Sequence, residues 1–123
     1  MNKINLGLIG YGTVGSGVVK LLRKRKAYIQ NKFNTEFVLR TLCDRSIHKK
    51  DTRGLGRTRL TTKIQEVLDD PDIDVVIELI GGMHPAKEIA FAALRQGKHV
   101  VTANKELIAN CGKELFQQAK KKN

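Results

Sequence analysis

Ile4-Asn5-Leu6-Gly7-Leu8-Ile9 runs without a gap into Gly10-Tyr11-Gly12-Thr13-Val14-Gly15, and that junction decides the fold. The first stretch reads as a buried parallel strand, largely apolar with one central glycine. The second opens a helical pattern in which Val14, Val18, Leu21 and Leu22 recur on one face. Strand, glycine turn and helix N-terminus, in that order, build a site for a dinucleotide pyrophosphate. In that arrangement Gly10 makes the tight turn, Gly12 lets the backbone approach the phosphates, and Gly15 lets the helix pack close to the strand. The free N–H groups and positive dipole end of the first helical turn face the anion. Thr13 adds a hydroxyl that donates to phosphate or caps the helix. The whole run Gly10, Tyr11, Gly12, Thr13, Val14 and Gly15 is therefore expected at the cofactor.

Outward from this unit the chain alternates strands and helices. The first helical pattern continues weakly through Ile29 toward Phe33, and Phe37 to Cys43 reads as the second strand. Asp44 to Thr58 holds Gly54, Gly56 and many charges without periodicity, as a long loop does. Leu60 and its neighbours form a short third strand. Thr62 with Gln65 resembles a capping box for a short helix ending near Asp70-Pro71. Val75 to Ile80 is a β-branched run broken by Gly81-Gly82, the clearest strand in the chain. Pro85 sits where a first-turn proline belongs, ahead of a helix through Ile89, Ala92, Ala93 and Leu94 to Gly97. His99 to Thr102 is a further strand; a short helix follows from Asn104, and Gly112 precedes a last one carrying Leu115, Phe116 and Ala119. This alternation predicts an α/β fold, a Rossmann-type doubly wound parallel sheet in three layers. Its strand order would be 3-2-1-4-5, with the sixth strand missing. The expectation is one cofactor domain cut at its natural end.

Bulk properties agree with a single globular domain. The chain has 123 residues, 41% hydrophobic and 28% charged. Its longest apolar stretches are strand-length, short of the ~20 residues a membrane helix needs. No charged segment with a following apolar region opens the chain, so a cytoplasmic protein is expected. Cys43 and Cys111 form no Cys-x-x-Cys pair and read as reduced thiols, and no residues stand at metal-ligand spacing. The net charge of +11 favours anionic partners and puts nucleic acid among the possibilities. Aromatics make up only 5%, and none is interleaved with the basic clusters as a base-stacking platform requires. A solvated basic surface is the preferred reading. Part of the cluster Lys49, Lys50, Arg53, Arg57 and Arg59 is open to a cofactor phosphate.

In an open α/β sheet, ligands bind beyond the carboxyl ends of the strands. Three segments lie there: Gly10 to Gly15, Ile80 to Met83, and Thr102 to Lys105. Ile80, Gly81 and Gly82 combine a tight turn with close approach to a ribose or nicotinamide. Asp44, at the end of strand two, would accept bonds from the adenosine ribose, although it comes later after Gly15 than the usual ~20 residues. Arg45 beside it would instead pair with a 2′-phosphate. The acid favours NAD and the basic neighbourhood NADP; charge alone tilts the balance to NADP. Glu78 lies inside the best strand, and a structural acid tied to backbone amides is preferred to a catalytic one. His84 reads as a helix cap, and His48 and His99 as surface or strand residues. Thr102, Asn104 and Lys105 deliver donors to the ligand edge, where a lysine stabilises developing negative charge.

On these residues the chain resembles the nucleotide-binding domain of homoserine dehydrogenase. The resemblance rests on Gly7 to Gly17, on Asp74 to Gly82 with Pro85-Ala86, and on Gly97 to Gly112. The third block, Gly97-Lys98-His99-Val100-Val101-Thr102-Ala103-Asn104-Lys105 with Leu107-Ile108-Ala109, discriminates it from sugar-type oxidoreductases and dihydrodipicolinate reductases. The resemblance implies NAD- or NADP-dependent interconversion of L-aspartate 4-semialdehyde and L-homoserine, toward threonine, methionine and isoleucine. It implies that Lys105 lies at the nicotinamide and serves both cofactor binding and catalysis. It also implies a homodimer whose further domain binds the amino-acid substrate; without it this chain is expected to be inactive. Two other readings stand beside it: a stand-alone dinucleotide-sensing module, which would need no Lys105, and a basic nucleic-acid-binding protein.

Overall fold

The computed structural model describes residues 1–122. The chain runs through β1 (Asn2–Ile9), α1 (Thr13–Lys24), α2 (Lys26–Phe33), β2 (Thr35–Cys43), β3 (Arg59–Thr61), α3 (Gln65–Leu68), β4 (Val75–Glu78), α4 (Ala86–Arg95), β5 (His99–Thr102) and α5 (Lys105–Lys122). The strands form one parallel sheet in the order β3-β2-β1-β4-β5. The expected fold and strand order are those observed. No helix among the described residues is long and apolar enough to cross a membrane.

Alternating residues of β1 feed two cores, because successive side chains of a strand point to opposite faces. Leu6 and Leu8 pack with Val19 of α1, Leu42, Ile47 and Leu55 on one face. Ile9, Cys43 and Val76 pack with Val67 and Leu68 of α3 and Ile89 and Ala93 of α4 on the other. A third cluster joins α4 to α5 through Ala86, Ala90, Leu94, Leu107, Cys111 and Leu115. Helices on both faces and a sheet between them make the three layers.

The register carries the functional consequence. Thr61, Cys43, Ile9, Glu78 and Thr102 pair in succession across the sheet, one residue from each strand. All five strands thus end on a common row, and the loops that follow start from one edge.

Several boundaries differ from expectation, each for a physical reason. The first helix breaks at Arg25 (φ −98°, ψ 8°), and α2 beyond it buries no residue. The like-charged run Arg23 to Lys26 and the weak apolar pattern after it give the helix no face to dock. Strand β4 stops at Glu78 rather than Ile80. There the β1 ladder is exhausted: Leu79 N–H bonds the Ile9 carbonyl, and Ile80 N–H turns to the Glu78 carboxylate. The Thr62–Gln65 capping box does not form, since Ile64 is the N-cap of α3. Thr61 serves instead, accepting the Lys63 N–H and donating to the Glu66 carboxylate. The two expected last helices are one, Lys105–Lys122. A glycine within a helix costs only ~1 kcal/mol relative to alanine, and the seam of Leu107, Cys111 and Leu115 against α4 holds α5 together across Gly112.

Candidate functional site

Where β1 ends, the chain turns at Gly10 with φ of +105°, a conformation glycine adopts without steric cost. A Cβ on Gly15 would stand 2.1 Å from the Gly10 carbonyl oxygen, so α1 starts pressed against the turn only because residue 15 has no side chain. Gly12 is different: a Cβ there would meet nothing within 4 Å. Packing does not require glycine at 12. A ligand approaching the backbone would.

Gly12 is the N-cap of α1, and no side chain caps the helix. Thr13 therefore does not cap, and the first-turn N–H groups, with the positive end of the helix dipole, are left for an anion. This loop borders a cleft of about 490 Å3 lined by Gly10, Tyr11, Gly12, Asp44, Arg45, Lys50 and Ile80, together with His84 and Pro85. A larger hollow of about 600 Å3 lies between Leu94, His99 and Phe116 at the amino end of β5. That is the wrong end of a parallel sheet for ligands.

Asp44 follows the last residue of β2, and its carboxylate is drawn into the cleft wall. Oδ2 accepts the Tyr11 N–H at 2.8 Å and Lys50 Nζ at 2.9 Å; Oδ1 accepts the Ser46 N–H at 2.7 Å. Lys50 Nζ also donates to the Tyr11 carbonyl at 2.9 Å. Burial alone would raise the Asp44 pKa, but the hydrogen bonds from Lys50, Tyr11 and Ser46 and the lysine charge outweigh it and hold the carboxyl below its ordinary value. Arg45 is exposed on the same wall, and among the described residues no carboxylate pairs with it. Burial, reinforced by the charges of Asp44 and Glu66, pushes the Cys43 thiol up to about 11, so this cleft-lining cysteine is no nucleophile at neutral pH.

On the other side of β1, Glu78 is fully buried. Its Oε2 accepts the Ile80 N–H at 2.7 Å and its Oε1 the Thr102 hydroxyl at 2.6 Å. Thr102 in turn accepts the Asn104 N–H at 3.0 Å. The Asn104 side-chain amide donates to the Ile80 carbonyl at 3.2 Å and to the Gly82 carbonyl, while its Oδ1 caps α5 through the Leu107 N–H at 2.9 Å. The expected structural acid is thus the anchor of a network binding the turn after β4 to the turn after β5. Lys105 is the first residue of α5, exposed beside a separate open hollow with Thr102, Asn104 and Ile108. His84 caps no helix; its Nδ1 lies 2.7 Å from the Glu88 carboxylate one turn on.

Gly10, Tyr11, Gly12, Asp44, Arg45 and Ile80 of the expected residues therefore share one cleft. Thr13, Val14 and Gly15 lie in the first turn of α1 beside it. Gly81, Gly82, Thr102, Asn104 and Lys105 form the neighbouring stretch of the same sheet edge. In the sequence Lys50 stands out only as one member of a basic cluster. Its place on Asp44 depends on the 3-10 turn Ile47–Lys49, which no periodicity announces. No group of three metal-ligating side chains occurs among the described residues.

A pyrophosphate fits this edge: an uncapped helix N-terminus, an open backbone at Gly12 and a cleft long enough to continue toward Asp44. The chain is similar to known proteins over nearly its whole length. A family model described as "Homoserine dehydrogenase, NAD binding domain" matches residues 10–123. Homoserine dehydrogenase of Bacillus subtilis is 43% identical over 120 residues, covering 98% of this chain and 28% of that protein. The Neisseria gonorrhoeae enzyme is 40% identical, covering 100% of this chain and 28% of its own length. The crystal structure of Staphylococcus aureus homoserine dehydrogenase at pH 8.5 superposes with a TM-score of 0.92 at 37% identity, over 99% of this chain and 31% of that one. The chain spans less than a third of the relatives it matches.

Proposed function

The chain belongs to the homoserine dehydrogenase family, and we propose that residues 1–123 act as the single NAD(P)-binding domain of an enzyme interconverting L-homoserine and L-aspartate 4-semialdehyde. The observation that carries the placement of the cofactor is Gly12, whose missing side chain serves no packing purpose and faces open space beside an uncapped helix.

In this reading Gly10 to Gly15 hold the pyrophosphate, with the first-turn amides of α1 as donors. Asp44 and Arg45 border the adenosine ribose. Ile80, Gly81 and Gly82 pass close to the nicotinamide ribose, and Thr102, Asn104 and Lys105 flank the nicotinamide. When bound, the cofactor supplies a hydride acceptor or donor. Lys105 orients the reacting oxygen and stabilises negative charge developing on it. Glu78 and Asn104 keep the Lys105 turn at a set distance from the turn at Gly82, which is a positioning task. The amino-acid substrate and the homodimer contacts are assigned to the parts of the parent enzyme that this chain does not span.

The test is titration calorimetry with NADH and NADPH on the chain and on Gly12→Val. Binding by the chain and none by the variant, with unchanged circular dichroism, is the expected result. Equal affinity in the two proteins would overturn the placement.

A further inference from the structure

The adenosine end of the cleft holds an acid with most of its accepting capacity already taken. An ionised carboxylate has about four lone-pair sites, and two free ones on different oxygens are what a ribose diol needs. Three sites of Asp44 are taken by Tyr11 N–H, Ser46 N–H and Lys50 Nζ. Oδ2, with two donors, has no capacity left. The charge is also matched, because the Lys50 ammonium stands 2.9 Å from Oδ2 with the Asp44 side chain only 12% exposed.

An unpaired acid at this position selects against a phosphorylated ribose by repulsion. A paired one does not. The ammonium itself has three donors, of which two are engaged, by Tyr11 O and Asp44 Oδ2. The third remains for a ligand in the cleft that Lys50 lines. Arg45, on the same wall, adds a guanidinium without an acidic partner among the described residues.

We propose that Lys50 sets the cofactor preference of this cleft: by neutralising Asp44 it removes the repulsion that would exclude a 2′-phosphate, so that NADP(H) is admitted at least as well as NAD(H). This rests on the cofactor placement of the preceding subsection. Lys50 acts on specificity through Asp44 and through its spare donor, whereas its bond to the Tyr11 carbonyl holds the glycine loop for either cofactor alike. The two roles separate in the ratio of affinities.

The experiment measures dissociation constants for NADPH and NADH at neutral pH and fixed ionic strength, on the chain and on Lys50→Gln, Lys50→Arg and Lys50→Gln combined with Asp44→Asn. The expected result is a loss of at least tenfold in the NADPH-to-NADH preference in Lys50→Gln. Lys50→Arg should retain the preference. The double variant should recover most of it, because the acid left bare is gone. Lys50→Gln weakening both cofactors equally, or the double variant failing to recover, overturns the role of Lys50 and leaves the cofactor placement intact. Absence of binding of either cofactor to the unaltered chain overturns the placement and the inference together.

Discussion

Gly15 sits so close to Gly10 that a Cβ added to it would lie 2.1 Å from the Gly10 carbonyl oxygen. No side-chain rotation relieves a contact between a Cβ and backbone. Gly15→Ala must therefore push α1 off the turn, at a cost of about 1–3 kcal/mol typical of overpacking and a drop of several degrees in Tm. A Cβ at Gly12 meets nothing within 4 Å, so Gly12→Val should cost no more than the ~1 kcal/mol of an unfavourable N-cap residue. Thermal unfolding beside cofactor titration should give opposite profiles: Gly15→Ala chiefly loses stability, Gly12→Val chiefly loses binding. A large Tm drop in Gly12→Val would show that glycine there is structural after all.

Arg45 gives a second contrast. It is exposed on the cleft wall and free of any acidic partner among the described residues. If it meets a 2′-phosphate, Arg45→Ala should weaken NADP(H) by roughly 1.5–3 kcal/mol, a charge-assisted bond's worth, and hardly change NAD(H). Equal losses for both would mean that Arg45 does not read the phosphate.

Acid should expose the Asp44 anchorage. Its carboxyl is held below the ordinary value in the folded chain by Lys50, Tyr11 and Ser46 against the opposing effect of burial. A depressed folded pKa means that the unfolded chain takes up the proton first. The stabilisation is therefore complete above the ordinary carboxylate value near ~4 and is lost as pH falls toward the folded one. Asp44→Asn should lower stability at neutral pH and flatten the acid limb of the stability profile. Urea midpoints measured between about pH 7 and pH 3 should converge for the two proteins on acidification; parallel curves would rule out this contribution.

How much of this was legible beforehand varies with how local the cause is. The turn at Gly10, the presence of β4 and the alternation of strands with helices follow from residue pattern at short range and are found in the structure, although β4 stops at Glu78 rather than Ile80. The break at Arg25 turns on whether α2 finds a face to dock on, a tertiary matter. So does the continuity of α5 through Gly112, where packing against α4 overrides a local helix penalty. Thr61 rather than Thr62 serves α3 because β3 ends with Thr61 opposite Cys43, a register no single segment reveals. Lys50 was illegible for the same reason: a lysine in a charged loop gains meaning only when the chain returns it to Asp44.

Glu78 and Thr102 tie β4 to β5 at their shared last row. Removing the Thr102 hydroxyl leaves a fully buried carboxylate short of a donor and the Asn104 N–H without its acceptor. Thr102→Val should cost about 1–3 kcal/mol, the penalty for buried polar groups left unpaired. Thr102→Ser keeps the hydroxyl and should cost much less. Amide hydrogen exchange should place the loosening at Ile80 and Asn104, whose N–H groups bond to Glu78 and Thr102; uniform loss of protection across the sheet would argue for a plain packing defect instead.

Lys105 is expected to matter only in the context of a whole enzyme. Hydride transfer needs the substrate carbon held within ~3–3.5 Å of the nicotinamide, and that positioning supplies much of the rate. In this chain Lys105 stands exposed beside an open hollow, where solvent screens its charge. The chain should therefore bind NAD(P)H yet produce none from homoserine. In a parent enzyme that contains this domain, Lys105→Ala should lower kcat by orders of magnitude and leave cofactor affinity less affected. Stopped-flow and steady-state assays on both proteins decide the matter. Reduction of cofactor by the isolated chain, free of longer enzyme and indifferent to Lys105→Ala, would remove Lys105 from the chemistry.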